Sequence, residues 1–147
     1  MIFYLVTDNC AALLGMKDGR IADVQISASS EYYQADRNLY YKAIYARLDR
    51  NSGSINGAWT PGSWVSQQQD LDQWVEVNFG VPRKLSGVIL QGRQAHTTPY
   101  QWVTKYMVTY SDDEGASWKY VKDLVKDVNG EYDEVCTSLN SFQVTKV

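Results

Sequence analysis

Trp74-Val75-Glu76-Val77-Asn78-Phe79 alternates residue by residue, with Val75, Val77 and Phe79 on one side and Glu76 and Asn78 on the other. A period of two is that of a strand with one face in a core and the other toward water. Gly80-Val81-Pro82 breaks the run, since proline offers no N–H to a ladder. Gly87-Val88-Ile89-Leu90-Gln91 then resumes as a short apolar strand, and residues 21–27 form a weaker one upstream. Downstream, residues 103–110 (VTKYMVTY) alternate again, placing Tyr106, Val108 and Tyr110 opposite Lys105, Met107 and Thr109. Ser111-Asp112-Asp113-Glu114-Gly115 reads as a hairpin turn and Trp118-Lys119-Tyr120-Val121 as the returning strand. The predicted core is Val75, Val77, Val88, Leu90, Tyr106, Val108 and Trp118.

Polar segments rich in Ser, Asn, Gly and Gln separate these strands, at residues 27–37, 50–57, 60–72 and 94–101. The only helix-compatible run, residues 40–48 (YYKAIYARL), is too short to stand as an independent helix. Short strands, turn signals and long polar loops predict an all-β chain, an antiparallel β-sandwich or jelly roll. The 147 residues suit one domain and are enough to bury roughly 68–70% of the unfolded surface. The formal charge of −3 gives no general pull toward nucleic acid or anionic lipid. Five Trp and eleven Tyr against three Phe make the aromatic set amphipathic, which suits half-buried strands and contact loops.

At this level the chain resembles the discoidin family, also called the coagulation factor V/VIII type C domain. The resemblance rests on Cys10, Leu14-Gly15-Met16, Gly19 and Gln25-Ile26-Ser27-Ala28-Ser29-Ser30. It continues through Ala46-Arg47-Leu48, Ala58-Trp59, Gln73-Trp74-Val75-Glu76-Val77, Gly87-Val88-Ile89, Gln91-Gly92-Arg93 and Trp102-Val103-Thr104-Lys105-Tyr106. Tyr110-Ser111-Asp112 and Gly115 to Trp118 close it, and Asn129-Gly130, Asp133 and Asn140-Ser141-Phe142 match only loosely. Each motif is weak alone; their order and spacing are not. The resemblance implies a galactose-binding-like sandwich over residues 10–147, preceded by an extension or strand at residues 1–9. It also implies further strands and a closing cysteine after Val147, so the domain is expected to lack its last strands. On this reading Cys10 holds the opening cysteine position without its family partner, and Cys136 is not expected to replace that partner.

Three loops are candidate sites. Residues 31–41 (EYYQADRNLYY) carry four tyrosines and a leucine in a polar context, and a wet cluster of such rings marks contact with something. In discoidin relatives the matching loop is a spike at one end of the barrel, which nominates Tyr32, Tyr33, Asn38, Leu39 and Tyr40. Residues 94–102 (QAHTTPYQW) add His96, Thr97 and Tyr100, with Arg93 at their edge, as groups able to orient a polar ligand. Arg50-Asn51-Ser52-Gly53-Ser54 matches a shorter spike without an apolar tip. In the bland alternative Tyr40 and Tyr41 fold back on the core, His96 is a solvated loop histidine and Trp102 is a core plug.

Chemistry of bond making has little to stand on. No local signature joins Cys10 or Cys136 to His96 as a nucleophilic pair. One His and two Cys argue against a clustered His/Cys zinc site, and no GxxxxGK[ST] phosphate loop occurs. Asp112-Asp113-Glu114 could hold calcium through oxygens but lacks EF-hand spacing, so no cofactor is expected. The apolar start, Met1 to Val6, is stopped by Asp8 short of a signal-peptide core of roughly 7–15 residues. Nor does any stretch approach the roughly 18 apolar residues of a spanning helix. The expectation is a non-enzymatic, extracellular or ectodomain adhesion module. Its family-implied partners are a cell-surface or matrix protein, a glycan or a phospholipid headgroup. The alternatives are a carbohydrate-binding lectin-like module and a structural adhesion domain with no ligand of its own.

Overall fold

The computed structural model describes residues 3–5, 14–47, 72–85, 87–91, 103, 105–121 and 137–146. Among the described residues there are nine strands: β1 (Phe3–Leu5), β2 (Ile26–Ala28), β3 (Tyr32–Gln34), β4 (Leu39–Tyr41), β5 (Trp74–Leu85), β6 (Val88–Leu90), β7 (Tyr106–Ser111), β8 (Lys119–Tyr120) and β9 (Thr137–Lys146). The described residues contain three short 3-10 turns and no α-helix. Within the helix-compatible run, Tyr40 and Tyr41 end β4 and Ala43–Ala46 form a 3-10 turn.

Five strands form the main sheet in the order β2-β5-β9-β7-β8, and every pairing is antiparallel. β1 pairs with β6 in a second, two-stranded sheet, and β3 with β4 in a third. The architecture is an all-β sandwich. The motif at residues 25–30 pairs directly with the run at residues 74–79, with Ile26 opposite Val77, Ser27 opposite Glu76 and Ala28 opposite Val75. Past the end of that ladder the Ser29 N–H donates to the Trp74 carbonyl at 3.0 Å, and the Trp74 N–H donates to Ser29 Oγ at 3.0 Å. Gln73 is buried, and its Oε1 accepts the hydroxyls of Ser29 (3.0 Å) and Ser30. A buried amide needs such partners.

The alternation at residues 74–79 is obeyed: Val75, Val77 and Phe79 are buried while Asn78 is exposed and Glu76 is half-buried. With Met16, Ile21, Ile26, Ala43, Ala46, Leu85 and Val108 they form one cluster, on which Val88, Leu90 and Tyr110 pack from the side. Two expected core positions fall elsewhere. Tyr106 is 42% exposed, because it pairs with Lys146 one row beyond the last β5–β9 pair, Trp74 with Thr145. No β5 residue extends that row, so the ring lacks a floor. Trp118 is half-buried in the 111–118 hairpin, where a Cβ on Gly115 would lie 3.9 Å from its ring.

Gly80-Val81-Pro82 does not end the strand as its composition suggests. β5 continues to Leu85 through a register shift between Asn78 and Arg83. Gly80 takes φ +70° there and donates its N–H to Asn78 Oδ1 at 2.7 Å, so the break is a bulge. Residues 137–146, where the family resemblance is loosest, supply the middle strand, paired to β5 on one side and β7 on the other.

Ahead of β2, Gly15 at φ +111° accepts the N–H groups of Gly19 and Ile21 on its carbonyl. A Cβ on Gly15 would lie 2.4 Å from Arg20 Cβ, so only glycine fits this turn. Both cysteines lie outside the described residues.

Candidate functional site

The strand order fixes which loops share an end of the sheet. β2 runs toward the Ser29–Trp74 corner and leads, after three residues, into the β3–β4 hairpin. β7 begins at Tyr106, beside the Trp74–Thr145 row, so the chain feeding β7 arrives at that same end. Ser111, which closes β7, pairs with Ser141, which in turn pairs with Asn78 at the other end. The 111–118 hairpin therefore points away from the spike.

Residues 31–42 build the spike from local rules. Tyr32 pairs with Tyr41, Tyr33 with Tyr40 and Gln34 with Leu39 across a turn of four residues, 35–38. Asn38 closes the turn at φ 51°, ψ 44°, a left-handed conformation that asparagine tolerates. Alternation gives the hairpin two faces. On one, Tyr32 and Tyr41 stack with centroids 5.4 Å apart, and Tyr41 is 5% exposed. On the other, Tyr33 and Tyr40 stack at 4.3 Å and 26°, and they are 43% and 47% exposed. Lys42 Nζ lies 5.7 Å over the Tyr40 ring, within cation–π range. The Tyr33 hydroxyl donates to Asn38 Oδ1 at 2.9 Å. At the base, Glu31 Oε1 accepts the Ala43 N–H at 2.7 Å and so ties the first residue of the spike to the turn that follows it.

The expected contact residues thus divide. Tyr33 and Tyr40 present open ring surface, Asn38 is exposed at the tip, Leu39 and Tyr32 are half-buried, and Tyr41 belongs to the body. Glu31 and Asp36 offset Arg37 and Lys42, leaving the hairpin neutral in formal charge. Arg93, His96, Thr97 and Tyr100, and the shorter spike at residues 50–54, lie outside the described residues.

Arg47 escapes a reading of the sequence because nothing local marks its job. Its guanidinium donates to the Met16 carbonyl (3.0 Å), the Ile21 carbonyl (2.7 Å) and Asp23 Oδ1 (2.5 Å), clamping the Gly15 turn beside the spike's exit. In the opposite hairpin Asp113 faces inward on its own turn. The Ser117 and Ser111 hydroxyls and the Ser117 N–H donate to it, which lowers its pKa to about 2. Asp112 is engaged by Lys119 Nζ at 2.7 Å, which raises the lysine's pKa. Among the described residues no group of three or more His, Cys, Asp and Glu could hold a metal ion, and no helix is long and apolar enough to cross a membrane.

Known proteins are similar to this chain in sequence. Residues 25–147 match the F5/8 type C domain. The chain is 37% identical over 117 residues to lactadherin of Sus scrofa, covering 78% of this chain and 26% of that protein. It is 38% identical over 117 residues to EGF-like repeat and discoidin I-like domain-containing protein 3 of Homo sapiens, covering 78% of this chain and 22% of that protein. Retinoschisin of Mus musculus is 31% identical over 110 residues, 75% of this chain and 45% of that protein. The chain spans about a quarter of the first two relatives. With the sandwich, the paired motifs and the spike in place, the chain belongs to the F5/8 type C, or discoidin, domain family.

Proposed function

We propose that this domain is an extracellular, non-enzymatic recognition module that binds a cell-surface or matrix ligand through the 31–41 hairpin, together with residues 93–100, which the family resemblance nominates. One observation carries the reading: the Tyr33–Tyr40 pair stands exposed and already stacked on a hairpin anchored to a rigid sandwich. Amphipathic rings held in place before contact gain from leaving water while losing little freedom, which is how binding anchors work. A protein surface suits the pair best. Each ring spends one face on the other, which disfavours a sugar laid flat on Tyr40, and the neutral hairpin lacks the excess of cations that deep lipid insertion requires.

Replacing Tyr40 with Ser is expected to weaken binding by about 1–3 kcal/mol with little change in melting temperature. Replacing Asp113 with Ser, at the opposite end, leaves binding unchanged. Suitable probes are cultured cells, immobilised matrix proteins, a glycan array, and phosphatidylcholine vesicles with and without phosphatidylserine. A result in which the Asp113 change abolishes binding and the Tyr40 change does not overturns the site. A response confined to the glycan array favours a lectin-like module, and silence with every probe favours a structural adhesion domain.

A further inference from the structure

We propose that Asn38 is a positioning residue, which holds Tyr33 in its stack with Tyr40 and makes no ligand contact of its own. The inference rests on the hairpin being the binding site, but its first test does not. At φ 51°, ψ 44° glycine would cost less than any residue with a side chain, so the carboxamide at the tip calls for another reason. Its Oδ1 accepts the Tyr33 hydroxyl at 2.9 Å. Tyr33 is then tied at both ends, through its backbone in β3 and through its hydroxyl at the turn. Without the second tie an exposed ring samples several rotamers. With it, Tyr33 offers Tyr40 a fixed surface at 4.3 Å, and Lys42 lies over Tyr40. A partner therefore meets two rings already in register. The tip residue sets how sharply the site is defined, while the rings make the contact.

Three single variants and one double variant of the full chain separate the roles. Asn38→Gly keeps the left-handed turn and removes the acceptor. Asn38→Asp keeps both. Tyr33→Phe removes the hydroxyl and keeps the ring. Without ligand, NMR reads the Tyr33–Tyr40 ring contacts and the ring-current shifts of the pair. Asn38→Gly and Tyr33→Phe are expected to weaken them alike, and Asn38→Asp to restore them. An unchanged stack in Asn38→Gly overturns the proposal whatever the domain binds. Binding is then read on phosphatidylcholine vesicles containing phosphatidylserine and on fibrillar collagen. On a probe that binds, Asn38→Gly and Tyr33→Phe should each cost about three- to tenfold in affinity, the range for losing one pre-ordered side chain. The double variant should cost no more than either alone. A further loss on adding Asn38→Gly to Tyr33→Phe shows a direct contact by Asn38 and overturns the positioning role. Silence of both probes with the NMR result intact refutes binding of those two ligands and leaves the positioning role standing.

Discussion

Removing the Arg47 clamp tests the energetics of the fold most directly. The side chain is 14% exposed and gives hydrogen bonds to two main-chain carbonyls, Met16 and Ile21, from segments that have no ladder partner. Bonds from a charged donor contribute about 1.5–3 kcal/mol each, and truncation leaves both carbonyls short of a partner unless water reaches them. Allowing for partial hydration, the two together contribute about 3 kcal/mol. The Asp23 pair adds less than about 1 kcal/mol, because Asp23 is 62% exposed and water screens the attraction. Arg47→Ala should therefore lower stability by about 3 kcal/mol, a fall of roughly 6–12 °C in melting temperature for a chain of this size. Asp23→Asn should cost under about 1 kcal/mol. Arg47→Lys should recover less than half of the loss, since one ammonium cannot span three acceptors arranged for a guanidinium fork. Urea denaturation with an unchanged slope measures all three. A loss below about 1 kcal/mol for Arg47→Ala, or an equal loss for Asp23→Asn, would refute the clamp.

Two further outcomes follow from individual side chains. Ser141 Oγ is buried with no hydrogen-bond partner among the described residues, so Ser141→Ala should leave stability unchanged or raise it by up to about 1 kcal/mol; a loss greater than that in a urea melt shows a partner. Asp113 titrates at about 2 in the folded chain against an ordinary value of 3.8. Because the folded value is the lower, its stabilisation is complete above about pH 5 and disappears progressively as pH falls through about 2. NMR titration should follow Asp113 and the Ser117 amide together in that window, and a midpoint near 3.8 would contradict the hydrogen-bonded turn.

The strand around Val75 and Val77, and which of its faces is buried, is legible in the sequence because alternation and family motifs agree there, whereas its neighbours in the sheet are not. The hairpin at residues 31–41 is legible as a cluster of tyrosines, but not its sidedness. Alternation puts Tyr33 with its cross-strand partner on one face, yet only the register decides that the partner is Tyr40 and that Tyr41 turns inward. Tyr106 misleads for a related reason: its parity matches Val108, but β5 ends one row short of it. The bulge at residues 78–83 reads as a break, since proline and glycine signal both. Arg47 is silent because its partners are main-chain carbonyls 31 and 26 residues away, which no local pattern encodes.

The place of β9 in the sheet bears on how the domain is made. A ribosome delivers β5 and β7 long before residues 137–146, yet those residues lie between the two. Glu76 meets the side chain of Gln143 across 67 residues of chain. Until that stretch leaves the exit tunnel, each of the two waiting strands has an open edge and an uncovered apolar face, the state in which nascent β-proteins pair with the wrong neighbour. Closure over such distances is slow, because the loop entropy is spent before any ladder forms. Yield in a cell should then respond to chaperone supply and to translation rate over residues 137–146 more than to small changes in equilibrium stability.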